Sequence, residues 1–427
     1  MTIYRGTVLD TPENPFTGGV LRSDQDAGIL VQDGVIRGRG GFAEVSEAHP
    51  DEDIVELREG VLLPGFVDTH VHYPQIRVIG GIGMPLLEWL RTCALPEEAR
   101  LGDPEYARAL AAEFFSGLLY AGTTSALVFG SHFPAAVDTL FTEAASVGLR
   151  ITAGLVVADR GLRPELLTTP ALAYEEGLAL AARWHGEGRL RYAVTPRFSL
   201  SSTDELLQSC AALAKDVHDS WVTSHVNENP DEVAEVAELF CSSVDYLDTY
   251  DRFGLVGSRS VFAHNVHVLD RELQLLAAQD AHVAHCPTSN AALGSGLFPL
   301  RRHVEHGVSV TLGSDVGAGT GLSLLKEGLQ AYFVQQLLHE DGLPLTSTHL
   351  LYLATKAGAR ALGLGDVGDL SVSQQFDAVW VRPARGSTLD TALTYAQDPE
   401  DALAKVFALG GVAETAGVWV AGERLLG

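Results

Sequence analysis

The stretch LPGFVDTHVH, residues 63–72, indicates both the fold and the chemistry of this chain. The apolar and β-branched run Phe66–Val71 predicts a buried strand, and Pro64-Gly65 marks the turn before it. Side chains alternate along a strand with a period of two, so His70 and His72 point to the same side, close enough to share one ion. Because such pairs also arise by chance, a metal site requires further ligands elsewhere in the chain.

A regular alternation of elements follows this stretch. From Pro64 onward, short apolar strands alternate with amphipathic segments of helical length, which is the pattern of a parallel sheet. Eight strands followed by helices favour a (β/α)8 TIM barrel, an α/β fold, over a doubly wound open sheet, which has fewer strands. The predicted strands are Phe66–His70, Thr123–Phe129, Ile151–Val157, Tyr192–Thr195, Trp221–His225, Ser260–His264, His282–His285 and Val308–Leu312.

Both ends of the chain consist of short strands joined by turns. In the N-terminal part, Asp33-Gly34 is typical of a two-residue hairpin turn. In the C-terminal part, strands are predicted at Phe376–Val381, Leu403–Ala408 and Gly417–Val420. A β unit of about 60 residues does not easily form a core of its own. We therefore expect residues 1–63 and 371–427 to combine in one small discontinuous β-sandwich domain beside the barrel of residues 64–370.

Composition argues against several classes of protein. The formal net charge of −26 is opposite to what a nucleic-acid-binding protein needs. No apolar run approaches the roughly 18 residues of a membrane helix, and the first residues lack the order of a signal peptide. The four cysteines show no C-x-x-C spacing, which indicates reduced thiols rather than disulfides or a thiolate zinc site. We expect a cytoplasmic protein without membrane or nucleic-acid partners.

Residues that can bind a metal gather at the predicted strand ends. They are His70 and His72 at the first strand, His225 at the fifth, His264 at the sixth, His285 at the seventh and Asp315 after the eighth. Active sites of such barrels lie at the C-terminal ends of the strands. Three neutral imidazoles and one carboxylate suit Zn²⁺ or Fe²⁺. Their joint placement predicts a mononuclear metal hydrolase.

Each of these residues also has a structural interpretation. His225 could be a core histidine, His264 a cap at a strand end, and Asp315 the N-cap of the helix that follows. For His285, a structural hydrogen-bonding role is favoured over metal binding. Glu228 stands three residues after His225, where its carboxylate could move protons beside a metal.

Other motifs lack the context that their function requires. The G-x-G-x-x-G spelling at residues 363–368 follows a helix and not a strand, so it indicates a turn and not a dinucleotide site. Four further histidines have no assembled partners in the sequence and are not expected to take part directly in catalysis. They are His132, His267, His282 and His349.

Seven segments carry a family resemblance. They are PGFVDTHVHYPQ at residues 64–75, LLEWL at 86–90, VTPRFS at 194–199, SHVNEN at 224–229, AH at 263–264, HCPTSN at 285–290 and GSDVGAGT at 313–320. Through them the chain resembles, over almost its full length, the amidohydrolase superfamily and, within it, the guanine deaminases. It departs from the family at Ser314, where threonine is frequent, at residues 371–375, where a Pro-Gly turn is usual, and in the loop 159–162. None of these departures replaces an implied metal ligand.

The resemblance implies roles for individual residues. One Zn²⁺ per subunit, or Fe²⁺, would be held by His70, His72, His225 and Asp315. Glu228 would be the proton shuttle, and His264 would hydrogen-bond the attacking hydroxide or the developing oxyanion, so that Glu228, His264 and Asp315 form the catalytic set. The purine would be bound by Gln75, Arg197, Phe198 and Trp89.

The implied reaction is the hydrolytic deamination of guanine to xanthine and ammonia in purine catabolism. A metal-bound hydroxide, available at neutral pH, would attack the base while Glu228 moves the protons. Two alternatives stay open. One is a related deaminase of the same superfamily that acts on 8-oxoguanine, a pterin or a triazine, and the more remote one is a non-catalytic scaffold of the same fold. A small-molecule purine substrate and a homodimer are implied by the resemblance alone.

Overall fold

The computed structural model describes all 427 residues, and the N-terminal part is mainly antiparallel sheet. Its elements are β1 (Thr2–Asp10), β2 (Arg22–Gln32), β3 (Val35–Gly41), α1 (Phe42–Ala48) and β4 (Asp53–Pro64). β2 pairs antiparallel with β1 and β3, whereas β4 runs parallel to β1. The turn between β2 and β3 is Asp33-Gly34, with both φ angles positive as a type I′ turn requires. The predicted hairpin is therefore present.

The middle of the chain forms a parallel sheet of eight strands in sequence order, with one short additional strand. The strands are β5 (Phe66–His72), β6 (Thr123–Phe129), β7 (Arg150–Gly154), β8 (Val156–Val157), β9 (Leu190–Pro196), β10 (Trp221–Val226), β11 (Ser260–His264), β12 (His282–His285) and β13 (Ser309–Leu312). All eight predicted strands are present. The third is interrupted at Leu155, and its last part, β8, pairs separately with β9.

Helices follow each of the long barrel strands. They are α2 (Leu86–Trp89), α3 (Leu95–Ala99), α4 (Pro104–Tyr120), α5 (Pro134–Val147), α6 (Pro170–Trp184), α7 (Asp204–Asp216), α8 (Pro230–Leu239), α9 (Asp248–Asp251), α10 (Asp270–Ala278), α11 (Pro287–Ala292), α12 (Leu300–Glu305), α13 (Leu324–Leu337), α14 (Ser347–Ala354) and α15 (Lys356–Ala361). α4 shows why they form. Asp103 caps its first turn, Pro104 occupies the first helical position, and its buried residues recur at helical spacing from Ala107 to Leu118. None of the helices combines the length and apolar character that a membrane span requires.

The C-terminal part returns to the first sheet. Its elements are β14 (Ala378–Val381), α16 (Thr388–Thr394), α17 (Pro399–Leu409), β15 (Thr415–Val420) and β16 (Glu423–Leu426). The complete order in this seven-stranded sheet is β16-β15-β14-β4-β1-β2-β3. Strands from both chain ends thus share one mixed sheet beside the barrel, which confirms the predicted fold class.

One predicted strand is wrong. Residues 403–408 belong to α17, whose N-cap Asp398 accepts a hydrogen bond from the backbone of Asp401 and whose first residue is Pro399. The buried residues of α17 are Leu403, Val406 and Phe407, which is the i, i+3, i+4 spacing of a helix and not the alternation of a strand. The capping signal upstream, rather than the local apolar character, decides this element.

Contacts between β5 and the loop after β13 close the barrel and bring the two ends of the predicted site together. The backbone N–H of Asp315 donates to the carbonyl oxygen of His70 at 2.8 Å. Asp68, fully buried, accepts from the backbone N–H of Ser314 at 3.0 Å and from its hydroxyl at 2.5 Å. These hydrogen bonds therefore hold β5 beside the loop after β13, although the two segments are about 245 positions apart in sequence.

Candidate metal centre and active site

The predicted metal-binding residues lie together at the C-terminal end of the barrel. His70 and His72 lie at the end of β5, His225 near the end of β10, and His264 is the last residue of β11. With Asp315, which follows β13, all five side chains are buried. His264, with φ of 74°, and Asp315, with φ of 47°, have left-handed backbones. This conformation is uncommon for residues other than glycine and is often found at active sites.

Four donor atoms form the tightest part of the group. Asp315 Oδ1 lies 3.2 Å from His70 Nε2 and 3.2 Å from His72 Nε2. The Nε2 atoms of His70 and His72 are 3.2 Å apart, and His225 Nε2 lies 3.3 Å from His72 Nε2. In a tetrahedral site with metal–ligand bonds of about 2.0–2.1 Å, neighbouring donor atoms are roughly 3.3 Å apart. The donor set therefore fits one small divalent cation.

His264 stands at the margin of the same group. Its Nε2 lies 3.8 Å from Asp315 Oδ2 and 3.4 Å from Glu228 Oε2. Donor atoms of His70, His225, His264 and Asp315 also lie within 4.8 Å of one another, a looser group that includes His264. The shorter separations around His72 favour His72 in the donor set and leave His264 facing Glu228.

Two imidazoles have their tautomers fixed by neighbouring oxygens. His225 Nδ1 lies 2.6 Å from the carbonyl oxygen of Arg197, so it carries the proton and leaves Nε2 with a free lone pair. His264 Nδ1 lies 3.0 Å from Asn290 Oδ1, which leaves its Nε2 unprotonated by the same reasoning. The Nε2 atom of His264 is buried without a hydrogen-bond partner in the protein. It is therefore available to accept from a water or a substrate.

Burial sets the charge state of the group. Burial and the neighbouring histidines lower the pKa of His225 well below its ordinary value, and burial lowers the pKa of His70 and, to about 4, that of His264. Burial alone would raise the pKa of Asp315, but hydrogen bonds from His70 and His72 hold it well below its ordinary range. Neutral imidazoles and an ionised carboxylate are the forms in which these residues bind metals.

Glu228 lies beside the metal-binding group. Its carboxylate is buried, and Ser295 Oγ donates to its Oε1 at 3.5 Å. Glu232 accepts from the backbone N–H of Glu228 at 3.1 Å and so holds the turn that carries it. Burial raises the pKa of Glu228 well above its ordinary value, and the charges of Asp315 and Glu232 raise it further. A carboxyl group whose pKa is shifted toward neutrality can both take and give a proton.

A narrow cavity opens above these groups. Its lining includes Glu228 and all four predicted purine-binding residues, Gln75, Trp89, Arg197 and Phe198. Four further side chains complete the apolar part of the wall: Leu86, Leu90, Leu293 and Ala318. The cavity combines apolar surfaces with a few polar groups, the usual composition of a small-molecule site.

Sequence reasoning misses Glu98, which contacts two of the predicted purine-binding residues. It accepts hydrogen bonds from Gln75 and Arg197, each at 2.6 Å. His132, which was expected to have no partner, lies 3.3 Å from the same carboxylate. The available signal is the helical period. Glu98 follows Leu95 by three residues, so both share the buried face of α3, where a charge requires a partner.

His285 belongs to a different cluster. Its ring stacks on Phe298 with 4.2 Å between ring centroids, and Phe298 stacks in turn on His303 at 4.4 Å. Neither ring nitrogen of His285 has a hydrogen-bond partner in the protein. No protein group therefore takes part in the expected hydrogen bonding of His285, and its ring forms part of a buried stack.

Comparison with known proteins agrees with this architecture. The model of the amidohydrolase family matches residues 61–425 of the chain. A protein from Deinococcus radiodurans, named as a probable guanine deaminase, is 60% identical over 429 residues, which cover 99% of this chain and 98% of the relative. The similarity thus includes both the barrel and the mixed sheet.

Two solved structures extend the comparison. The E. coli guanine deaminase superposes with a TM-score of 0.95 at 36% identity, covering 99% of each chain. The guanine deaminase from C. acetobutylicum, solved with guanine bound in the active site, has a TM-score of 0.91 at 27% identity and also covers 99% of each chain.

Proposed function

The chain belongs to the amidohydrolase family, and from that membership and the geometry of its site we propose that it is a guanine deaminase, which hydrolyses guanine to xanthine and ammonia. One observation carries the proposal. A single cavity combines three of the four predicted metal ligands, His72, His225 and Asp315, with the carboxylate of Glu228 and the hydrogen-bond donors of Gln75 and Arg197. These are the parts that hydrolysis of an amino-substituted purine requires.

His70, His72, His225 and Asp315 would hold one divalent metal ion per chain. Their donor separations of 3.2–3.3 Å and the free Nε2 atom of His225 support this assignment. When bound, such an ion supplies Lewis acidity and makes a water nucleophilic near neutral pH. Zn²⁺ is our proposal for the native metal because it suits three imidazoles and one carboxylate, although Fe²⁺ accepts the same ligands.

Glu228 moves the protons of the reaction. Its carboxylate takes a proton from the water that attacks C2 of guanine and gives it to the adjacent ring nitrogen N3, so that C2 becomes tetrahedral. It then transfers the remaining hydroxyl proton to the amino group, which leaves as ammonia while C2 becomes a carbonyl. His264 accepts a hydrogen bond from the attacking oxygen through its unprotonated Nε2. Transfers of this kind typically contribute about 10²- to 10⁴-fold in rate.

The remaining cavity residues bind the base. Gln75 and Arg197 hydrogen-bond its polar edge, and Phe198 and Trp89 provide apolar surface against its ring. A pocket that hydrogen-bonds one edge of a substrate rejects analogues that cannot complete those bonds, because buried polar groups are left unpaired.

A cytoplasmic location and a homodimer complete the proposal. All four cysteines are free thiols, which is typical of proteins in a reducing compartment. The homodimer rests on the family resemblance, and light scattering on the purified protein measures it directly.

The activity is tested by ammonia release from guanine, 8-oxoguanine, a pterin and a triazine, with the metal content of the same preparation measured by mass spectrometry. We expect guanine to have the highest kcat/KM, by about 10²-fold or more, and about one zinc ion per chain. A higher kcat/KM for another ring would make the chain a related deaminase. Absence of ammonia release from every compound by fully metal-loaded protein would disprove the proposal.

A further inference from the structure

A buried carboxylate outside the predicted site connects the two residues that read the polar edge of the substrate. Glu98 lies on α3 and is 2% exposed. Its Oε1 accepts from Gln75 Nε2 at 2.6 Å, and its Oε2 accepts from Arg197 Nη1 at 2.6 Å. His132 Nε2 lies 3.3 Å from the same Oε2. The four side chains form one connected polar cluster beside the cavity.

Glu98 is ionised in this environment. Burial alone would raise its pKa, but the positive charge of Arg197 and the hydrogen bond from His132 hold the pKa well below its ordinary range. An ionised carboxylate accepts hydrogen bonds and cannot donate them. Every group that faces Glu98 must therefore present a donor.

This requirement fixes the direction of the Gln75 amide. The nitrogen must face Glu98, and the oxygen Oε1 faces the backbone N–H of Gly317, which donates to it at 3.1 Å. The two neighbours thus impose the same orientation on an amide that could otherwise turn by 180°. Gln75 Nε2 has two hydrogens and gives one to Glu98, so the second is the hydrogen that Gln75 can offer at the cavity wall.

Arg197 is restricted in the same way. Its guanidinium has only donors, and Glu98 holds the Nη1 atom of that rigid planar group. The backbone of Arg197 is also fixed, because its carbonyl oxygen accepts from His225 Nδ1 at 2.6 Å. The edge of the cavity formed by Gln75 and Arg197 therefore offers donors in a fixed arrangement.

We infer that Glu98 is a positioning residue that locks Gln75 and Arg197 as donors and thereby selects a base whose facing edge carries only acceptors. This inference rests on the proposed function. Guanine offers its C6 keto oxygen and its unprotonated ring nitrogens as acceptors, whereas 2,6-diaminopurine carries an amino donor at C6. Bound in the same way, that amino group would meet a donor, and both groups would remain unpaired in a buried site.

The test is Glu98→Gln, which keeps the shape of the side chain and removes its charge. We expect KM for guanine to rise by about tenfold or more, with kcat within about threefold, because Gln75 is free to turn and Arg197 loses its fixed partner. 2,6-Diaminopurine should become a better competitive inhibitor: the ratio of its inhibition constant to the KM of guanine should fall by about tenfold. Metal content should stay at the wild-type value, since Glu98 is not a ligand.

Glu97→Gln is the matched control. Glu97 is the preceding residue on α3 and is also buried, but it bonds to Tyr106 and to Arg100 Nη1, away from the cavity. This variant should keep the wild-type KM and the wild-type preference. Glu98→Asp retains the charged acceptor and should recover most of the discrimination. It also serves as the test variant if Glu98→Gln does not fold, in which case its KM should rise by severalfold without loss of metal.

Three results would overturn the role of Glu98. They are an unchanged KM and preference in Glu98→Gln, an equal loss in Glu97→Gln, or a fall in kcat and metal content without a change in preference. If the wild-type protein releases no ammonia from guanine, the proposed function fails instead. An active wild type combined with unchanged selectivity in the variant disproves only the positioning role.

Discussion

The histidines of the site place their Nε2 atoms close together, in an arrangement suited to binding one cation. His225 Nε2 and His72 Nε2 are 3.3 Å apart, and His70 Nε2 is equally close to His72. Because burial lowers the pKa of His70 and of His225, both rings are neutral, and with His72 their Nε2 atoms gather around one point. A metal ion held at that point, as proposed above, would link the strands that carry these residues and so stabilise this end of the barrel.

Glu228→Gln isolates proton transfer from binding. The amide keeps the size of the side chain but cannot take a proton from water, so we expect kcat for guanine to fall by about 10²-fold or more. Metal content and the binding of xanthine should change little. The measurements are ammonia release, mass spectrometry and calorimetry of product binding. Glu235→Gln, an exposed substitution on α8, the helix that follows Glu228, should be fully active. Near-normal turnover by Glu228→Gln would remove this residue from the mechanism.

Sequence patterns could predict the residues of the site that lie at strand ends. The His70 and His72 pair, His225 and Asp315 follow apolar strands, and the barrel geometry brings such ends together. Glu98 and Asn290 could not be assigned in this way, because their roles depend on partners far away in sequence. A pattern along the chain contains no information about which remote donor a buried carboxylate meets.

Elements were predictable where local and tertiary preferences agree. The eight barrel strands are rich in apolar residues and almost entirely buried because a parallel sheet covered by helices is buried on both faces. In contrast, the apolar residues 403–408 predict a strand, although Asp398 and Pro399 initiate the helix α17 there. α1 was missed because it is a short helix with one buried residue, Val45, and has no side-chain cap.

A buried carboxyl group between two helices predicts a pH dependence of stability. Glu327 on α13 accepts from the backbone N–H of Thr288 on α11 at 3.0 Å and from its hydroxyl at 2.7 Å. Burial raises the pKa of Glu327 from about 4.5 to about 8. Folding therefore favours the protonated form, and the stabilisation is complete below pH 4.5 and is lost as pH rises toward 8.

Glu327→Gln removes this titration. The stability of the wild type relative to the variant should fall between pH 5 and pH 8, by at most about 1.4 kcal/mol per pH unit, and level off above that range. Urea unfolding of both proteins at several pH values measures the difference. Glu340→Gln, an exposed substitution just after α13, should follow the wild type at every pH. A constant difference between Glu327→Gln and wild type would show that Glu327 does not titrate in this window.

At the scale of the whole molecule, an ionic cluster joins the mixed sheet to the barrel. Asp10, at the end of β1, is fully buried and pairs with Arg22 and with Arg39 Nη1 at 3.0 Å. It also accepts from the backbone N–H of Leu370 at 2.8 Å, where the chain leaves the barrel. Asp369, the preceding residue, binds Lys356 of α15 at 2.5 Å. The cluster thus fixes the point at which the chain returns from the barrel to the sheet.

Asp10→Asn should weaken this junction without altering the reaction. The amide places a donor against two guanidinium groups and leaves Arg39, only 6% exposed, with less charge compensation. We expect a loss of about 2–4 kcal/mol in the free energy of unfolding, measured in urea. KM and kcat for guanine should stay at wild-type values, since no residue of the cluster lines the cavity.

Asp26→Asn provides the comparison on the same sheet. Asp26 pairs with Arg5 at 2.7 Å, but its side chain is 55% exposed, and exposed ion pairs contribute little to stability. The two variants make the same chemical change to an ion pair and differ mainly in burial. If Asp10→Asn unfolds like Asp26→Asn, the sheet and the barrel are held together by their apolar contacts alone. If it instead lowers kcat, the junction also contributes to the geometry of the site.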